Sequence, residues 1–206
     1  MEKIDEDIKH KKNILKIEII NILNSFEKEL NKKFKLFLLQ NLNDDNIKYI
    51  IKIISYYTKS KANQEIKIKC YELFQELIKT IPKNDIISNL TKILLYMQEN
   101  INIFKINTSF EILLTKLNKI EIKNFEILNG FCLINIQKDN IINKEALLCY
   151  QCLIKNSENL IQDEMKDKVI KSFLDILVKK LLKINKIFED KYLLLSIIDE
   201  IIFISK

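Results

Sequence analysis

Apolar residues return along this chain at spacings of three, four and seven, the period of a helix that buries one stripe. The first such pattern runs from about 4 to 30, with Ile4, Ile8, Leu15, Ile19, Ile22, Phe26 and Leu30 on one face. Glu2, Asp5, Glu6 and Asp7 fall in its first turns, where negative charge complements the helix dipole. A short second helix is predicted over 33–42, with Phe34, Phe37, Leu38 and Leu42 inward, and Asn41 to Asn46 break it. Further helices are predicted over 46–58, 63–80, 85–98, 104–119, 122–136, 143–157, 161–183 and 188–205. Short polar stretches separate them, among them Lys59-Ser60-Lys61-Ala62 and the segment 137–142. Pro82 ends one helix, and Asp85 is placed as the N-cap of the next.

The eight later helices fall into four pairs, whose first members begin near Asn46, Asp85, Lys123 and Gln162, a period of about 38 to 40. The second members align at a shift of about forty. Ile66, Cys70, Leu73, Phe74 and Leu77 superpose on Ile106, Phe110, Leu113, Leu114 and Leu117, and then on Ala146, Tyr150, Leu153 and Ile154. A two-helix hairpin cannot bury its apolar stripes alone, so hairpins of this period stack and share one interior. The sequence resembles the HEAT/armadillo superfamily from about Asn46 onward, with residues 1–45 as an irregular N-terminal cap. That resemblance implies a single all-α domain over 1–206, a short right-handed superhelix of about four helix pairs over 46–206. A non-repetitive helical bundle with hairpins of similar length is the alternative.

Composition sharpens the fold class. The chain has one Gly and one Pro in 206 residues, whereas turn-rich β architectures need many of both. With so little glycine it cannot build a phosphate-cradling loop or a dinucleotide turn. All of its basic residues are lysine, so it has no bidentate guanidinium fork and no arginine finger. His10 is the only imidazole and lies in Lys9-His10-Lys11-Lys12, a run that reads as solvated. The carboxylates Glu65, Glu72, Glu76, Asp163 and Asp167 are not paired with a base, a ligand set or a glycine loop. The expectation is therefore a non-enzymatic protein with no cofactor and no metal.

Charge changes the picture less. A net charge of +6 is mild and the acids are interspersed, unlike the concentrated basic footprint of a dedicated nucleic-acid binder. The excess of Lys, Ile and Asn is also what AT-rich codons give. Cys149-Tyr150-Gln151-Cys152 is a C-x-x-C, but no second pair completes a zinc set, and the motif falls inside a predicted helix. Its cysteines read as small buried hydrophobes. No apolar run is long enough to span a membrane, and a charged N-terminus with free cysteines leads to the expectation of a cytoplasmic protein, in the cytosol or on the cytoskeleton, with the nucleus left open.

Three sets of residues are candidates for binding a protein partner. Tyr56, Tyr57, Lys59 and Lys61 end one helix and form the turn inside the first regular pair. In the tubulin-binding TOG arrays of the HEAT class, such turns present aromatic and basic residues to acidic tubulin. The resemblance implies a similar role here, with tubulin or another acidic surface as partner. Lys168, Lys171, Lys179 and Lys183 form a basic stripe that could meet an acidic helix, anionic lipid or, as an alternative, nucleic-acid phosphate. The last helix is apolar on more than one side, with Leu194, Ile198, Ile201 and Phe203 offered for association with a partner, a further repeat or a second copy.

Overall fold

The computed structural model describes residues 2–24, 27–59, 63–138, 141–160 and residue 199. In chain order the helices are α1 (Glu2–Leu23), α2 (Glu27–Asn41), α3 (Asp44–Lys59), α4 (Gln64–Thr80), α5 (Lys83–Asn100), α6 (Ile106–Lys116), α7 (Ile122–Ile136), α8 (Lys144–Lys155) and α9 (Ser157–Leu160). The fold is all-α. Among the described residues the strand content is one pair of two-residue segments between α7 and α8: β1 (Gln137–Lys138) lies antiparallel to β2 (Ile141–Ile142). Contacts divide the chain into two compact units, Met1–Tyr96 and Met97–Lys206.

In the first unit, α2 and α3 both pack against α4, and α1 touches all three. Leu30, Phe34 and Leu38 of α2, Ile47, Ile50 and Ile54 of α3, and Leu73, Phe74 and Leu77 of α4 are fully buried. Each such side chain contributes about 1.5–3 kcal/mol of transfer free energy. The Phe74 ring meets that of Tyr96 on α5 at 4.1 Å between centroids. In the second unit, α6 and α7 both pack against α8. Ile106, Phe110, Leu113, Phe125, Leu128, Ala146, Leu147, Tyr150 and Leu153 are buried there, and Phe110 stacks on Phe131 at 5.5 Å.

Helix ends follow local chemistry. Asn63 caps α4 by accepting from the Ile66 N–H at 2.9 Å, and Asn143 caps α8 through the Ala146 N–H at 3.1 Å. α6 lacks a side-chain cap of its own. Lys105 has φ −72 and ψ 76, and the Ile106 N–H donates to the Phe104 carbonyl, an inverse γ-turn that points the cap position away from its helix. The free donor of Asn107 is taken instead by the Glu145 carboxylate of α8, at 3.2 Å.

Several predicted boundaries are corrected. The pattern read as one helix over 4–30 is two: α1 stops at Leu23, and Leu30 is buried on α2, which begins at Glu27 rather than Lys33. The apolar spacing runs on in register through the break, so the spacing alone hides it. Asp85 is not an N-cap. The Pro82 carbonyl accepts the first i→i+4 bond, from Ile86, which puts Asp85 in the first turn. The segment 137–142, read as a plain separator, carries the β1–β2 pair, and residues 158–160, read as a separator, belong with Ser157 to α9. The helices predicted over 161–183 and 188–205 lie outside the described residues but for residue 199.

Candidate interaction surface

α3 is where the candidate residues come together. Its start is fixed by Asn43, whose side-chain oxygen accepts from the Asn46 N–H at 2.9 Å, with Asp44 and Asp45 in the first turn and Lys59 in the last. Both charge placements suit the helix dipole. Ile47, Ile50, Ile51, Ile54 and Thr58 turn inward, which leaves Lys52, Tyr56 and Lys59 on the exposed side at spacings of four and three. Tyr56 is 65 % exposed. Its ring meets that of half-buried Tyr57 edge-on, centroids 5.4 Å apart. Seven positions before Tyr56, half-buried Tyr49 has the Lys12 ammonium of α1 at 6.0 Å from its ring centroid, a cation–π distance.

The result is an outward ridge in which tyrosines and lysines alternate along α3. Lysine ammonium groups attract carboxylate or phosphate, and an exposed phenol offers a stacking face with a hydrogen-bonding rim. Of the first candidate set, Tyr56, Tyr57 and Lys59 are brought together and Lys61 lies outside the described residues. The basic stripe Lys168, Lys171, Lys179 and Lys183 and the apolar Leu194, Ile198, Ile201 and Phe203 also lie outside them. Sequence reasoning missed Lys52 and Tyr49. Both were legible as the complement of the isoleucine stripe, because 49, 52, 56 and 59 share the face opposite Ile47, Ile50 and Ile54.

The base of α3 is tied into the first unit by charge. Asp44 accepts from the Lys48 ammonium and from Asn89 of α5, the latter at 2.7 Å. These contacts, Lys48 foremost, hold its carboxyl below the usual range, and the same pairing raises Lys48. Glu29 and Glu65 are likewise held down by Lys33 and Lys69, one turn on at 2.7 and 2.8 Å. Above Asp44, the Thr58 hydroxyl donates to the Ile54 carbonyl at 2.8 Å, so the contact at 3.1 Å with Tyr96 is a bond in which the Tyr96 hydroxyl donates.

The thiols are placed for packing. Burial pushes Cys70 up to about 11, opposed by a weaker interaction with the Thr58 hydroxyl. Burial also raises Cys132 and Cys149 well above the usual thiol range, and Cys152 of the C-x-x-C is half-buried on the same helix. A raised thiol holds little of the nucleophilic thiolate. Among the described residues no group of three or more His, Cys, Asp or Glu side chains is arranged to hold a metal ion, and His10 is exposed on α1. Among the described residues no helix is long and apolar enough to cross a membrane. No protein-family model, curated protein or solved structure matches the chain.

Proposed function

We propose that this chain is a non-enzymatic scaffold of stacked helix pairs that binds an acidic protein surface through the outward ridge of α3. One observation carries the reading: side-chain and backbone contacts recur between residues about forty apart. Within the first unit, Asp44 bonds Asn89 and Thr58 bonds Tyr96, separations of 45 and 38. Within the second, Asn102 bonds Asn143 and Asn107 bonds Glu145, separations of 41 and 38. The Lys119 and Ile120 N–H groups bond the Asn159 and Leu160 carbonyls, forty positions on in each case. Equivalent positions of successive hairpins touching one another is what stacking produces.

On this reading the pairs build a short HEAT- or armadillo-like right-handed superhelix working in the cytosol or on the cytoskeleton. The apolar segment bearing Leu194, Ile198, Ile201 and Phe203 supplies a second contact. A bound acidic protein such as tubulin meets Lys52, Tyr56 and Lys59 on the α3 ridge. The test is affinity purification from the native cell at two salt concentrations, beside the variants Tyr56→Ala and Lys52→Glu/Lys59→Glu. Tyr56→Ala is expected to weaken the partner by about 2 kcal/mol, the scale of an interface anchor. The lysine reversals should do so more strongly at low salt than at high. A partner set unchanged in both variants overturns the assignment of the ridge.

The same alternation of tyrosine and lysine favours a second reading, single-stranded nucleic acid, because bases stack on aromatic faces while lysines track the phosphates. Co-sedimentation with microtubules and fluorescence anisotropy with single-stranded RNA separate the two.

A further inference from the structure

The outward face of α2 is unusual for a helix already packed into a core. Leu30, Phe34, Phe37 and Leu38 are turned inward and buried. Yet Leu36 and Leu39 are 53 % and 65 % exposed on the opposite side. Lys32 and Lys35 are exposed on the same face, one turn before each leucine. The described carboxylate at its edge, Glu29, is neutralised by Lys33 at 2.7 Å. On α1, Ile14 and Ile17 are likewise 42 % and 57 % exposed, but the charged residue one turn after Ile14 on that face is the exposed carboxylate Glu18.

We propose that the α2 face docks on an anionic lipid bilayer surface, with Leu36 and Leu39 entering the headgroup boundary and Lys32 and Lys35 held at the lipid phosphates and carboxylates. Charge complementarity and the chemistry of the exposed side chains select this occupant. Leucines that stand more than half clear of their own helix insert into a soft interface without needing a matching groove, and lysines beside them gain from the negative surface potential. Nucleic acid satisfies the lysines but gives the leucines nothing, and an acidic helix needs a receiving groove. The proposal is separate from the α3 ridge and does not depend on it.

The test uses the full chain in flotation with phosphatidylcholine vesicles, with and without phosphatidylserine. Binding is expected only when phosphatidylserine is present, and should weaken as salt rises. Lys32→Gln and Lys35→Gln should each lower the vesicle partition about fivefold. Leu36→Ser/Leu39→Ser, which changes side chains that are more than half exposed and should leave the circular dichroism unchanged, is expected to lower it roughly tenfold or more. Tyr56→Ala should leave it unaltered, which keeps this outcome distinct from the fate of the α3 ridge. The proposal is overturned if the vesicles are bound equally without phosphatidylserine, or if the leucine double variant floats as well as the parent. Single-stranded RNA bound by the parent and by the leucine variant alike, with no flotation of either, also overturns it in favour of nucleic acid.

Discussion

Thr58 and Tyr96 show how a single polar contact can specify a helix-to-helix register inside an apolar core. Both side chains are buried, at 1 % exposure, among isoleucines and Phe74. Removing the Tyr96 hydroxyl takes away its bond to Thr58, whose own hydroxyl still donates to Ile54. Tyr96→Phe is therefore expected to cost about 1 kcal/mol. Thr58→Val should cost a similar amount, and the double variant less than the two together, because neither partner is then left unsatisfied. Urea midpoints of the four proteins check this, and full additivity would deny the bond. Asp44 supplies a pH-dependent link between the same two helices. Its folded pKa lies below the ordinary value of ~3.9, so its contribution is complete above that value and lost as pH falls through the depressed one. Asp44→Asn should lower the urea midpoint at neutral pH, and the gap from the parent should close in strong acid. A gap independent of pH would show that Asp44 acts through packing alone.

At the scale of the element, α7 carries the one glycine of the chain in its interior. Gly130 has an ordinary helical backbone, and a Cβ built there meets nothing within 4 Å. The residue therefore costs helix propensity with no close approach to justify it. Gly130→Ala is expected to stabilise the second unit by about 0.5–1 kcal/mol, read as a rise in thermal midpoint. A fall would reveal a tight neighbour. Helix existence was legible because the stripes of α3, α4 and α8 are strong and regular. The ends were less so, for physical reasons that differ from case to case. The stop after α1 sits within an unbroken apolar spacing, so nothing in the pattern distinguishes one helix from two. Pro82 was rightly a boundary, but it caps α5 with its own carbonyl, which leaves Asp85 no capping duty. At α6 the donor is satisfied by Glu145, a partner 38 residues away that no local motif could announce. The candidate surface divides in the same way. Tyr56 and Lys59 were legible as turn-end residues, whereas Leu36 and Leu39 could not be told from core leucines until α2 had a known inner face.

For the whole molecule the distinction that matters is between an array of coupled hairpins and a bundle with one interior. In an array each pair is stabilised by its immediate neighbours, and a defect spreads only as far as the coupling carries it. In a bundle every helix answers to the same core, and the loss is shared. Leu73 of α4 separates these cases, since it is fully buried in the first unit and stands forty and eighty positions before the buried Leu113 of α6 and Leu153 of α8. Leu73→Ala should cost about 2–5 kcal/mol through lost transfer and a residual cavity. If the hairpins form an array, native-state hydrogen exchange will show α2, α3 and α4 losing protection by that amount while α7 and α8 keep most of theirs. Equal loss of protection in α7 and α8 would mean one cooperative core. The forty-residue contacts would then be incidental to a bundle, and the scaffold reading would lose its structural basis, whereas the α2 face, which depends only on which side of one helix is wet, would stand.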